Sequence, residues 1–195
     1  MSRDAVTIVS GLPRSGTSLL MQMLHAGGLP VLTDQVRAPD ASNPRGYFEY
    51  EPVKRLRTDS SWLANARGHA VKIIHLLLPQ LPVAGAWSYR IIFMHRPLDE
   101  VLASQRVMLE QAGKPSADAA ILRRAFTSQL AQVETWLAAH PDIQVLRIDY
   151  HQVLRSPREM AENVRAFLGH DLSVERMVRA VDPALYRQRS EKAAE

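Results

Sequence analysis

Eight residues near the start of the chain, Gly11-Leu12-Pro13-Arg14-Ser15-Gly16-Thr17-Ser18, combine glycines, hydroxyls and one cation at a spacing suited to anion binding. They follow the short apolar run Ala5 to Val9 and precede the helical pattern Ser18 to Leu24. A strand that enters a glycine-bearing turn and then a helix leaves several backbone N–H groups unpaired and aimed at one point, where a phosphate group fits. A side chain at Gly11 or Gly16 would obstruct that approach and the positive φ such a turn needs. A second constellation lies at Ile91-Ile92-Phe93-Met94-His95-Arg96, with Ser104 eight residues after the arginine. Arg96 is expected at the carboxyl end of a buried strand, where ligands gather in open α/β sheets, and a guanidinium forks well onto phosphate oxygens.

Gly11 and Gly16 keep the frame of a nucleotide-triphosphate loop, but Thr17 stands where the usual lysine would reach the outer phosphates. The cation here is Arg14, inside the loop. Ordinary ATP or GTP hydrolysis is therefore disfavoured. A P-loop kinase with a variant loop stays open as an alternative; it would need magnesium ligands, and Asp149 is the one aspartate at the end of an apolar strand. A non-catalytic nucleotide-binding module is a further alternative.

Pro13-Arg14-Ser15-Gly16-Thr17-Ser18 resembles the 5′-phosphosulfate loop of the sulfotransferases, which use 3′-phosphoadenosine 5′-phosphosulfate (PAPS). The Arg96 to Ser104 spacing is similar to that family's 3′-phosphate signature, and Tyr47 to Val53 resembles a phrase of its small bacterial members. The resemblance implies PAPS as cofactor and 3′,5′-adenosine bisphosphate as product. It also implies cofactor contacts from Gly11, Pro13, Arg14, Ser15, Gly16, Thr17, Ser18, Arg96, Ser104 and Tyr150. Arg14 and Lys72 are the expected cations for the leaving phosphate. Sulfuryl transfer asks for in-line approach and charge stabilisation, and an alcohol acceptor benefits from a general base. Glu49 is the first candidate, His75 the second and Glu51 the third. His75 follows Lys72 by three residues rather than the two seen in one branch of the family, which in a strand reverses its face. His151-Gln152 stands where relatives carry an acidic pair. Nothing in residues 170–195 matches the family's late Arg-Lys-Gly loop; Arg187 and Arg189 are either its substitutes or part of a frayed basic tail.

The elements that must position these groups follow from pattern. Strand signals at Val6 to Val9, Ala70 to Ile74, Tyr89 to Met94 and Ile143 to Ile148 alternate with helical stretches near 15–27, 51–65, 97–111, 116–139 and 157–168. This order implies a three-layer α/β fold with a central parallel sheet and a P-loop-like phosphate-binding loop. Val36 to Gly46, rich in Pro, Asp, Asn and Gly, is expected as a loop or lid. The expectation is a single domain over residues 1–195, with 175–195 a loose tail.

Composition narrows the class. The 195 residues are 46% hydrophobic and 23% charged, ordinary for a soluble globule. The net charge of +4 suits an acidic ligand, while the dispersed Lys and Arg residues give no nucleic-acid signature. The chain has no cysteine, so no disulfide framework or thiolate metal site is available, and no metal is expected. The first apolar run is too short for a signal sequence or a membrane span, so the expectation is a cytoplasmic enzyme. Its acceptor is expected to be a small molecule, lipid or carbohydrate bearing a hydroxyl or amine. Composition does not fix the oligomeric state.

Overall fold

A computed structural model describes residues 5–34, 36–40, 43–85, 87–182 and 184. Five parallel strands form one sheet: β1 (Val6–Gly11), β2 (Val31–Leu32), β3 (Ala70–Lys72), β4 (Tyr89–His95) and β5 (Gln144–Asp149), in the order β2-β3-β1-β4-β5. The helices are α1 (Thr17–Gly27), α2 (Leu98–Gln111), α3 (Ala119–Ala138), α4 (Tyr150–Arg155), α5 (Pro157–Leu168) and α6 (Val174–Ala180). The alternation of side chains along β1 and β4 divides the core between the two sheet faces. Val9, Ile92 and Met94 pack with α1, α5 and α6 through Leu20, Leu24, Val164 and Met177. Ile8, Ile91 and Phe93 pack on the opposite face with Trp62, Leu63, Val133 and Leu137. Burial on both faces explains why these strands read as continuous apolar runs.

Strand register gathers the polar residues at one edge. Gly11 pairs with Met94, Val9 with both Ile92 and Lys72, and His95 with Asp149. The loop after β1, the last residue of β3 and the segment after β4 therefore share the carboxyl edge of the sheet, the usual place for a ligand in this architecture.

Three expectations are corrected. Residues 51–65 form two short 3₁₀ helices, Glu51–Arg55 and Ser61–Ala66, instead of one helix. Between them Asp59 accepts bonds from Ser61 N at 2.9 Å and Ser61 Oγ at 2.6 Å, a local turn that competes with helix continuation. The third strand ends at Lys72 rather than Ile74, because the chain turns into a 3₁₀ helix over His75–Gln80. The start of the expected loose tail is ordered as α6. Its residue Met177 fills the space beside Gly27 of α1, where a Cβ would come within 2.7 Å of Met177 Cγ. The short elements β2 and α4 carry too little periodicity to be read in advance. α4 starts where Asp149 accepts from His151 N and Gln152 N.

Candidate active site

The phosphate loop is shaped by three unusual backbone conformations. Gly11 and Gly16 have φ of 148° and 101°, and Arg14, a non-glycine residue, has φ of 69°. Left-handed backbone at an arginine is uncommon, and such strain concentrates at functional sites. A Cβ at Gly11 would lie 2.6 Å from Met94 O, and one at Gly16 would lie 2.5 Å from the Tyr150 ring. The loop therefore sits against β4 and Tyr150 as closely as glycine allows. Gly16 caps α1, and the first-turn amides of a helix have no intrahelical partner.

Around the loop is a cleft of about 360 Å³. Gly11, Pro13, Arg14, Gly16, Thr17, Ser18, Lys72, Arg96, Ser104 and Tyr150 line it, together with Glu49. Arg14 donates from Nε to Ser104 Oγ at 3.0 Å, and Arg96 donates from Nη1 to Arg14 O at 3.1 Å. The Arg96 guanidinium also lies 4.6 Å from the Tyr150 ring centroid. Burial pulls the Arg14 pKa down, yet a guanidinium remains charged at any physiological pH.

Lys72 reaches the same cleft from the end of β3. Its Nζ donates to Tyr47 O and lies 3.4 Å from Ser18 Oγ and 3.9 Å from Glu49 Oε1. Burial is the main cause of a pKa lowered to about 8, partly opposed by Glu49. Glu49 is also held by Arg37 Nη1 at 3.0 Å. The preceding residue, Phe48, adopts φ of 52° and packs into the core beside His25, leaving Tyr47 and Glu49 on the cleft.

The family model for the sulfotransferase family matches residues 47–174, about two-thirds of the chain. The chain belongs to the sulfotransferase family. The matched segment contains Glu49, Lys72, Arg96, Ser104 and Tyr150, and the phosphate loop precedes it. Solved structures share the fold of this sulfotransferase at low identity. Mouse sulfotransferase SULT7A1 complexed with PAP aligns at TM-score 0.61 and 18% identity, covering 99% of this chain and 70% of that one. The sulfotransferase domain from the curacin biosynthetic pathway aligns at 0.56 and 12%, covering 91% and 78%. A sulfotransferase from Alicyclobacillus acidocaldarius aligns at 0.55 and 16%, covering 96% and 87%. No curated protein sequence matches the chain at a significant level.

Three candidate residues stand apart from the cleft of this sulfotransferase. His75 is 1% exposed, with Nε2 2.9 Å from Gln129 Oε1 of α3, and burial lowers its pKa. It begins the 3₁₀ helix after β3 and does not line the cleft, although its ring interacts with the backbone of Gly11. Ser15 faces inward: its Oγ occupies the space where a Gly11 side chain would be. Glu51 pairs with Lys54 at 2.5 Å outside the cleft lining. Arg187 and Arg189 lie outside the described residues.

Several cleft residues are not marked by the sequence, among them Tyr47, Arg37, Asn43 and Met108. Tyr47 was visible only as one of three neighbouring aromatics. Its hydroxyl donates to Asp40 at 2.7 Å, burial and that bond push its pKa up, and Arg37 stacks 3.3 Å from its ring centroid. Arg37 and Asn43 lie on the irregular segment, where no periodicity marks a face. Met108 reads as an ordinary apolar position of α2 yet lines the cleft.

Among the described residues no helix is long and apolar enough to cross a membrane. Asp149, the one residue placed for magnesium in the kinase reading, spends its carboxylate capping α4 and does not line the cleft.

Proposed function

We propose that this single-domain, cytoplasmic sulfotransferase transfers a sulfuryl group from PAPS to a hydroxyl or amine of a small-molecule, lipid or carbohydrate acceptor. The observation that carries the reading is the convergence of the first-turn amides of α1 with Arg14, Lys72, Arg96 and Ser104 in one cleft beside Glu49. The donor set fits the group: it is cationic and rich in N–H, and its two glycines let the loop pack closely against Met94 and Tyr150 at the edge of the cleft. When bound, PAPS supplies an activated sulfuryl group on a 5′-phosphate.

The residues divide the work by position. The loop amides and the hydroxyls of Thr17 and Ser18 hold the 5′-phosphate, while Arg96 and Ser104 take the 3′-phosphate. Lys72, beside Ser18 and at the end of β3, presents its ammonium where negative charge develops on the leaving side. Arg14 adds a second cation at the loop. Glu49 Oε1 accepts the acceptor's proton, with Arg37 fixing the carboxylate in the cleft. Tyr150, packed on Gly16, would offer its ring to the adenine of a bound nucleotide.

A thermal shift with 3′,5′-adenosine bisphosphate beside magnesium-ATP tests this reading. Ligand at about a hundred times its Kd stabilises by roughly 2.7 kcal/mol, which is about 5–10 °C for a domain of this size. The expected result is a shift with the bisphosphate that Arg96→Ala strongly reduces. A response to magnesium-ATP alone would overturn the assignment in favour of a kinase.

A further inference from the structure

One buried carboxylate has no part in the chemistry above. Glu100 lies in the first turn of α2 and is 2% exposed, whereas its neighbour Asp99 in the same turn reaches outward to Arg123. Asp99 already supplies the favourable charge at the helix start without being buried, so the helix dipole does not account for the burial of Glu100. Taking a carboxylate out of water is costly unless it is paired and hydrogen-bonded. Glu100 is paired on two sides. Its Oε2 accepts from Arg96 Nε at 2.8 Å, and His151 Nε2 lies 3.1 and 3.0 Å from Oε1 and Oε2. His151 is itself placed by α4, whose first amides are held by Asp149.

The effect of this arrangement falls on Arg96. An arginine has many rotamers, and a phosphate-binding guanidinium is useful only when its fork faces the ligand. Here the Nε edge is fixed by Glu100, Nη1 by Arg14 O at 3.1 Å, and the face by Tyr150 at 4.6 Å. We propose that Glu100 and His151 are positioning residues that aim Arg96 into the cleft, so that preference for a nucleotide bearing a 3′-phosphate depends on this pair. The inference rests on Arg96 and Ser104 forming the 3′-phosphate subsite.

Isothermal titration with 3′,5′-adenosine bisphosphate and with 5′-AMP, which lacks the 3′-phosphate, separates positioning from general support. Glu100→Gln is expected to raise the bisphosphate Kd by about tenfold and leave the 5′-AMP Kd within about threefold, the scale of losing one charged hydrogen bond. His151→Asn is expected to act in the same direction by about threefold. Should Glu100→Gln not fold, the His151 variant, at the more exposed end of the pair, carries the test. Equal weakening of both nucleotides would mean that the pair merely supports α2, and the proposal falls. Tighter bisphosphate binding in Glu100→Gln would mean that the carboxylate acts by repulsion, which also overturns it. Arg96→Ala separates the two layers. If it abolishes the preference while the Glu100 and His151 variants keep it, positioning alone is wrong; if it too keeps the preference, the 3′-phosphate subsite is wrong.

Discussion

The two walls of the cleft are built by different physics. The phosphate wall comes from β1, β3, β4 and the helices that follow, so its groups are placed by strand register: Gly11 beside Met94, and Lys72 beside Val9. The described residues of the opposite wall, within 33–50, lie outside the strands of the sheet: they carry an isolated antiparallel bridge, Asp40 to Asn43, and a backbone bond from Asp34 N to Glu49 O. Most of their other ties are side chains bound to nearby backbone and to each other. Thr33 Oγ1 donates to Glu49 O at 2.9 Å, Asp34 accepts from Glu51 N at 2.5 Å, and Tyr47 bonds Asp40. A wall set by register should keep its geometry when one side chain is removed. A wall set by mutual side-chain bonds should loosen.

The sharpest way to break this contrast is Glu49→Gln. Loss of a general base is expected to lower kcat by about 10²–10⁴, with bisphosphate affinity changing far less, through the charge of Lys72, which lies 3.9 Å from Glu49 Oε1. If kcat survives, the irregular wall contributes no base. Arg96→Ala tests the register-built side. Losing a forked charge-assisted contact should weaken the bisphosphate by about a hundredfold, read by titration, with little change in 5′-AMP binding.

Much of the first wall was visible in the sequence for the same reason that it is rigid. Gly11, Gly16, Arg96 and Ser104 sit at fixed offsets from apolar runs, and those runs became β1, β4 and α2 within a residue or two. Glu100 was hidden because a carboxylate in the first turn of a helix reads as a dipole partner, and only the fold brings His151 against it. The second wall was poorly visible. Arg37, Asp40 and Tyr47 meet through long side chains across a turn-rich segment, where no period links spacing to direction. His75, three residues after Lys72, reads as facing away from it along an extended strand; β3 instead stops at Lys72 and the chain turns, and the residue still lies off the cleft lining.

Lys72 belongs to both walls, since it stands on β3 yet donates to Tyr47 O. Its pKa of about 8 lies below the ordinary lysine value because burial penalises the charge. In the free enzyme, kcat/KM and bisphosphate affinity should therefore fall by up to tenfold per pH unit above about pH 8. Lys72→Arg should remove that limb. The stability effect has the opposite sign. Between about pH 8 and the unfolded pKa of 10.5 the unfolded chain binds more protons, so this residue makes the folded state more stable as pH rises. Melting curves of Lys72→Met at pH 8 and pH 10 should lose that rise, and an unchanged slope would assign the limb to another group.

The smallest expected effect concerns the outer anchor of the irregular wall. Arg45 donates to Ala180 O at 2.7 Å and to Asp182 Oδ2 at 2.9 Å, joining the turn before Tyr47 to the end of α6. Both charged partners are about a third exposed, so solvent screens the pair and the direct loss in Arg45→Ala should be at most about 1 kcal/mol. The functional reach of that small loss is the sharper point. Asp182 lines the cleft, and a wall held by mutual bonds should pass slack from Arg45 to Tyr47 and Glu49. Arg45→Ala is thus expected to raise the acceptor KM by a few fold with bisphosphate affinity unchanged, measured by initial rates and titration on the same preparation. Parallel loss on both substrates would show that the two walls move as one body.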